Sequence, residues 1–235
     1  MSSLKFTRYA WPQMHLTAGA MLLLLAVFYL KGAWDPHWIW FALAQIPTAV
    51  GLWVLWFFRD PDRTPPEEPH LLVSPADGTV TDLTLLGDQC ALGREAMQIG
   101  VFMSVFNVHV NRVPADGTVE RIDYQPGAFL DARDPAASEK NEAATITMTI
   151  QHDGQSYPIA FRQIAGLIAR RIVTDLQPGQ VVTRGSRMGM IKFGSRCELI
   201  VPREIAGTIL ADVGDAVLAG QTPLVELPRE RFLED

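Results

Sequence analysis

Two apolar runs dominate the first quarter of the chain. Trp38 to Phe58 (WIWFALAQIPTAVGLWVLWFF) has 21 residues and no charge, enough for a helix to cross a hydrocarbon layer of about 30 Å. Met14 to Leu30 (MHLTAGAMLLLLAVFYL) lies at the short limit and contains His15, so it reads as a second span or as a re-entrant or interfacial segment. No small-residue cleavage site follows Leu30 and the longer run comes at once, which argues against a cleaved signal peptide. Tryptophans near the ends of the longer run suit the two membrane interfaces. RDPDRTPPEEPH, residues 59–70, then breaks any helix and marks a boundary.

Beyond it the period changes from that of a helix to that of a strand. ATITMTI, residues 144–150, alternates almost strictly, Asp153-Gly154 supplies a turn, and Tyr157 to Phe161 resumes the apolar run, predicting a β-hairpin. Two internal echoes point to a compact β fold. PADGTV occurs at 75–80 and again at 114–119, and a Gly-bracketed pattern around a valine occurs at Gly179–Gly185 and Gly214–Gly220. The second echo resembles the hairpins of biotinyl and lipoyl carrier modules, although the carrier lysine is missing. DARDPAASEKNE, residues 131–142, has no periodicity and reads as a polar, mobile loop. The expected fold is mainly β, a sandwich- or barrel-like domain over 64–235, preceded by a hydrophobic helical hairpin over 1–63.

Charge sharpens this division. The formal net charge is −6, yet residues 1–63 carry +2, leaving −8 for the rest. An acidic β domain excludes nucleic-acid binding through a broad basic face. Lys5 and Arg8 precede the first run, Arg59 and Arg63 follow the second, and only Lys31 lies between them. The positive-inside tendency therefore puts both ends of the hairpin, and the β domain, on the cytoplasmic side of the cell membrane. Cys90 and Cys197 have no CxxC spacing or His/Asp cluster beside them, so they give no disulfide framework and no metal signature.

The chemistry-bearing residues emerge from a set of blocks rather than from one motif. By itself Gly-Ser is a turn dipeptide, and GSR occurs twice, at 185–187 and 194–196. FFRDPDRTPP, SPADGTV (74–80), FMSVFNVHVNRVPADG (102–117), AASEKNE (136–142), QIAGLIARRIV (163–173) and GMIKFGSR (189–196) follow one another in order. Together they resemble phosphatidylserine decarboxylase proenzymes of the short bacterial form.

That resemblance implies that Ser195, in the last block, is the self-processing serine and that Ser186 is not. Its hydroxyl would attack the carbonyl of Gly194, moving the acyl group from nitrogen to oxygen. Elimination would then release a chain of residues 1–194, and hydrolysis would leave a covalent pyruvoyl group at position 195 on the remaining fragment, residues 195–235. Gly194, lacking Cβ, suits a strained turn open to attack, and serine supplies a hydroxyl that is first nucleophile and then leaving group. The pyruvoyl carbonyl would form a Schiff base with the amine of an anionic aminophospholipid and accept the electrons released with carbon dioxide, as pyridoxal phosphate does elsewhere. Neither pyridoxal phosphate nor a metal is then expected.

By the same resemblance His109 serves as base and proton donor, and Asp77 orients it. Asp116, in the second PADG, is a plain turn former. The long form has two histidines three residues apart where this chain has His109 and Arg112, and Asn107 where an aspartate is common, so Arg112 shares the second role or His109 performs both. Arg196, Arg112, Arg170 and Arg171 are candidates for gripping the lipid phosphate or carboxylate. The separated chains are expected to stay associated, and a homo-oligomer is compatible with the pattern. Two other readings stand beside this one: a membrane-bound Ser/Lys peptidase using Lys192, and a non-enzymatic β-sandwich adaptor.

Overall fold

The structure is a computed structural model that describes residues 5–134, 136–167, 171–192 and 195–228. It falls into two compact units, Met1–Asp62 and Arg63–Asp235. In the first, helices α1 (Trp11–Trp34) and α2 (Trp38–Phe57) are joined by a turn at 35–37. The shorter apolar run thus extends at both ends into a helix of 24 residues, about 36 Å long at 1.5 Å per residue. Both helices are long and apolar enough to cross a membrane. Their side chains are mostly exposed, as at Leu22, Leu23, Ile46 and Leu52, which a buried hairpin of a soluble core would not permit. Small residues let the helices approach: a Cβ on Gly32 would lie 3.1 Å from the Phe41 ring. Phe6 and Arg59 form a β-bridge that closes the ends of the pair.

The second unit is built from strands β1 (Leu71–Val73), β2 (Gly78–Leu86), β3 (Ala96–Met103), β4 (Val110–Arg112), β5 (Gly117–Gln125), β6 (Ala143–His152), β7 (Gln155–Ile164), β8 (Ile172–Thr174), β9 (Val181–Val182), β10 (Arg187–Ile191), β11 (Ser195–Pro202), β12 (Thr208–Ile209), β13 (Ala216–Val217) and β14 (Pro223–Glu226). Eight of them form one antiparallel sheet, in the order β13-β2-β3-β11-β7-β6-β5-β9, which curls into a half-barrel. The mainly β fold with an apolar helical pair is therefore as the sequence pattern implies. Asp153 and Gly154 both take positive φ and close the β6–β7 hairpin, the backbone twist that a two-residue turn requires.

The two echoes in the sequence are one duplication. Gly78 pairs with Val217 and Gly117 with Val182. The Ala219 N–H donates to Asp77 Oδ1 at 2.8 Å, and the Arg184 N–H donates to Asp116 Oδ1 at 2.8 Å. Each strand after PADG then carries a bulge, between Val80 and Asp82 and between Val119 and Arg121. Both PADG glycines are needed for the same crossing: a Cβ would meet the Phe102 carbonyl oxygen at 2.0 Å from Gly78 and the Thr149 carbonyl oxygen at 2.3 Å from Gly117. One half is β2, β3, β11 and β13. The other, β5, β6, β7 and β9, is inserted in sequence between β3 and β11, so what is a tight hairpin at β6–β7 becomes an excursion of residues 104–194 at β3–β11.

Candidate functional site

Ser195 is the first residue of β11, at the end of that excursion. Every residue of β11 is buried, and the strand is held between β3 and β7 in the middle of the sheet. Alternation sends Cys197, Leu199 and Val201 into the main core and Arg196, Glu198 and Ile200 to the opposite face. Ser195 lies fully buried opposite Met103, and its hydroxyl donates to the Met103 sulfur at 3.3 Å. A thioether is a weak acceptor, so this bond leaves the hydroxyl easy to redirect. Ser186 is exposed on a turn whose N–H donates to the Thr183 carbonyl. The two GSR sequences are thus physically unlike.

His109 immediately precedes β4 and is fully buried. Its Nδ1 lies 3.0 Å from the Asn107 carbonyl oxygen. A carbonyl can only accept, so Nδ1 carries the proton and the basic lone pair of the neutral ring is on Nε2. The Asn107 side chain is used otherwise, accepting the N–H and hydroxyl of Ser104 at 2.8 Å each and closing the turn that follows β3. Asn111, two residues on and on the same face as His109, directs Nδ2 at the Met103 sulfur at 3.7 Å and at the Pro75 carbonyl at 3.5 Å. Met103 is therefore shared by Ser195 and the His109 strand. Behind Asn111 a polar chain runs outward from the buried interior: Gln163 Nε2 donates to Asn111 Oδ1 at 2.9 Å, and the hydroxyl of half-buried Thr174 donates to Gln163 Oε1 at 2.8 Å.

Asp77 is positioned differently from its expected place against the histidine. Its oxygens are held bidentately by Arg63, with Nη2 to Oδ2 at 2.7 Å, and Oδ1 also accepts the Ala219 N–H. The reason is the chain itself: the segment after Asp62 runs past the PADG loop and puts a guanidinium there, while the histidine ring is oriented by its own neighbour's carbonyl.

Two of the candidate arginines, Arg196 and Arg112, are engaged within the fold. Arg196 is buried, with Nε on Glu198 Oε1 at 2.8 Å, Nη2 on Asp82 Oδ1 at 2.8 Å and Nη1 on Thr81 Oγ1 at 3.0 Å. Burial works against its charge, but the two carboxylates outweigh it and raise its pKa. Arg112 donates from Nη1 to the Gly185 carbonyl at 2.7 Å, in the turn of the duplicated half. Arg171 is exposed, and its carbonyl accepts the Lys192 N–H at 3.2 Å. Burial, with Arg171 adding repulsion, pushes the Lys192 ammonium below its ordinary pKa. Gly194 and Arg170 lie outside the described residues. A cleft of about 840 Å³ opens on the face of the sheet that carries Arg196 and Ile200, lined also by Asp82, Gln98, Arg162 and Ser138. Strand alternation puts it on the reverse side from the inward-facing residues of β11.

Part of the segment expected to be a polar, mobile loop has regular structure. Ala137–Lys140 is a helical turn, and fully buried Asn141 ties it down, accepting the Leu130 N–H at 2.9 Å and donating to the carbonyls of Leu130 and Ala165 at 2.9 and 2.8 Å. Met103, Asn111 and Gln163 carry no motif of their own. The faint signals are a lone glutamine in the apolar run IAFRQIAG and an asparagine two places after the histidine. Among the described residues no group of three or more His, Cys, Asp or Glu side chains could hold a metal ion.

Residues 50–225 match the family described as phosphatidylserine decarboxylase. The chain is similar to the phosphatidylserine decarboxylase proenzyme of Syntrophus aciditrophicus, with 46% identity over 86% of this chain and 88% of the relative. The same named proenzyme of Paramagnetospirillum magneticum is 40% identical over 95% of this chain and 91% of its own length, and that of Cupriavidus pinatubonensis 40% identical over 94% of each. A family match over residues 50–225, with relatives 40–46% identical over most of the chain, identifies the chain as a member of the phosphatidylserine decarboxylase family.

Proposed function

We propose that this protein is a membrane-anchored decarboxylase that divides its own chain between Gly194 and Ser195 and converts phosphatidylserine to phosphatidylethanolamine. What carries the reading is the placement of Ser195 in a chain of this family: buried, at the start of a central strand whose neighbours all precede it in sequence. A break before Ser195 lies outside every strand pairing among the described residues, so β11–β14 would remain paired with strands of the larger fragment.

In the processing step the Ser195 hydroxyl attacks the Gly194 carbonyl carbon while His109 Nε2 takes its proton. The C–N bond breaks and an ester forms. Loss of the Cα proton of residue 195 expels the Gly194 carboxylate, and water then converts the resulting dehydroalanine to a pyruvoyl group, releasing ammonia. That group would occupy the buried position opposite Met103, and when present it supplies a carbonyl able to condense with an amine and accept electrons. His109, protonated in turn, returns a proton to the product carbon. Asp77 acts on the site through the 74–78 loop rather than through the imidazole. The apolar helices hold the enzyme at the bilayer, with the basic residues that flank them on the cytoplasmic side.

Intact mass of the purified protein decides this. Fragments of residues 1–194 and 195–235 are expected, the second refractory to Edman sequencing. Ser195→Ala should remain whole and inactive, and Ser186→Ala should mature normally. A whole 235-residue chain that decarboxylates lipid would refute the proposal. A whole chain that reacts with serine-directed acylating reagents would instead support a peptidase.

A further inference from the structure

We propose that Arg63 is a positioning residue for the self-processing step, resting on the reading of Ser195 given above. The duplication supplies an internal control. Asp77 and Asp116 occupy equivalent turns and accept equivalent backbone N–H groups, from Ala219 and from Arg184. Asp116 does so exposed to solvent, whereas Asp77 is 3% exposed. The turn therefore does not require a buried carboxylate, and burying one is costly unless it is paired. The pairing comes from Arg63, itself 6% exposed at the side chain, which grips Asp77 and also donates to the Ala219 carbonyl at 2.9 Å. One guanidinium thus clamps the 74–78 loop to the 218–220 loop.

A continuous path of hydrogen bonds leads from this clamp to the serine. Within the clamped loop, the Pro75 carbonyl accepts the Arg112 N–H at 2.9 Å and faces the Asn111 amide at 3.5 Å. These bonds set β4, with His109 at its start, against the sheet. Asn111 then meets the Met103 sulfur, which also accepts the Ser195 hydroxyl. Removing the guanidinium leaves the buried Asp77 carboxyl without its ion-pair partner, and the loop must move outward to hydrate it. That motion withdraws the Pro75 carbonyl from β4 and loosens the registration of His109 with Ser195. The Asp116 turn also adjoins β4, through the Gly185 carbonyl that accepts Arg112 Nη1, but Asp116 is exposed, so removing it leaves no buried carboxylate to hydrate.

Cell-free synthesis of the full chain into lipid nanodiscs yields uncleaved protein whose division can be timed on gels. Arg63→Gln should slow division at least tenfold. Arg63→Lys, which restores the charge without the fork, should be slowed three- to fivefold, and Asp116→Ala should divide within twofold of the unsubstituted rate. Thermal melts of the same substitutions in the Ser195→Ala background report how much each costs the fold. If Arg63→Gln does not fold, Arg63→Lys against Asp116→Ala decides. Division of either Arg63 variant at the unsubstituted rate, or Asp116→Ala slowed as much as the Arg63 variants, overturns the assignment. Failure of the unsubstituted chain to divide would overturn the processing reading itself, a separate result.

Discussion

Replacing Arg196 tests whether this arginine is a receptor for lipid or the counter-charge of its own strand. Its guanidinium lies over Gly100, where a Cβ would come within 2.3 Å of Nη2, and reaches Asp82, Thr81 and Glu198. Arg196→Met keeps the stem and removes three donors. Glu198, 0% exposed, keeps only the Ser138 hydroxyl at 2.7 Å, while Asp82, 30% exposed at its side chain, is partly rescued by water. Removing one partner of a buried pair costs about 3–5 kcal/mol, and the hydration of Asp82 places this case at the lower end, about 3 kcal/mol. For a domain of this size that lowers the melting temperature by about 6–12 °C. Arg196→Lys, which can satisfy one carboxylate but not both, should lose about half as much. The measurement is denaturant and thermal unfolding in detergent, in the Ser195→Ala background so that all chains are whole. A loss below about 1 kcal/mol, together with a tenfold or larger rise in KM for phosphatidylserine in an otherwise unsubstituted enzyme, would refute this reasoning and return Arg196 to the lipid.

Two further tests follow from the same face of the sheet and the loop beside it. Burial opposes the Asp82 charge, but the Arg196 and Thr81 bonds prevail and hold its carboxyl below the ordinary 3.8. Its stabilising effect is therefore complete above that value and lost as pH falls through the lower folded value. Melting curves of Ser195→Ala with and without Asp82→Asn should be separated at pH 7 and converge only as pH falls from 3.8 through the lower folded value; a separation independent of pH would rule out this account. Asn141→Ala removes three hydrogen bonds from a fully buried position, costing about 2–3 kcal/mol. It should also speed proteolytic nicking within residues 126–134 about tenfold by freeing the loop, and unchanged nicking would show that the loop is held by other means.

Much of this was legible before any coordinate, for identifiable reasons. An uncharged 21-residue run has few alternatives to a long helix. The strict alternation of residues 144–150 and the Asp153-Gly154 turn determine a hairpin because both signals are local. The repeated PADG and Gly-bracketed segments signal recurring turns, although only the sheet order shows that they belong to two interleaved halves. At the end of the loop, Asn141 is tied to Leu130 and Ala165 by contacts distant in sequence that no periodicity records. Arg63 lies in the FFRDPDRTPP block and flanks an apolar run, but neither signal announces a partner fourteen positions away.

The sequence by itself determines the division into an apolar helical pair and an acidic β unit and the family, and its resemblance nominates Ser195 and His109. These rest on local period, on charge and on blocks in a fixed order. Only the tertiary structure decides which of two GSR serines is buried, which ring nitrogen of His109 carries the proton, and which of two equivalent aspartates holds an arginine. Those are matters of burial and of partners distant in sequence. Two PADG loops with identical residues diverge in environment because one is visited by the segment that leaves the helices and the other is not.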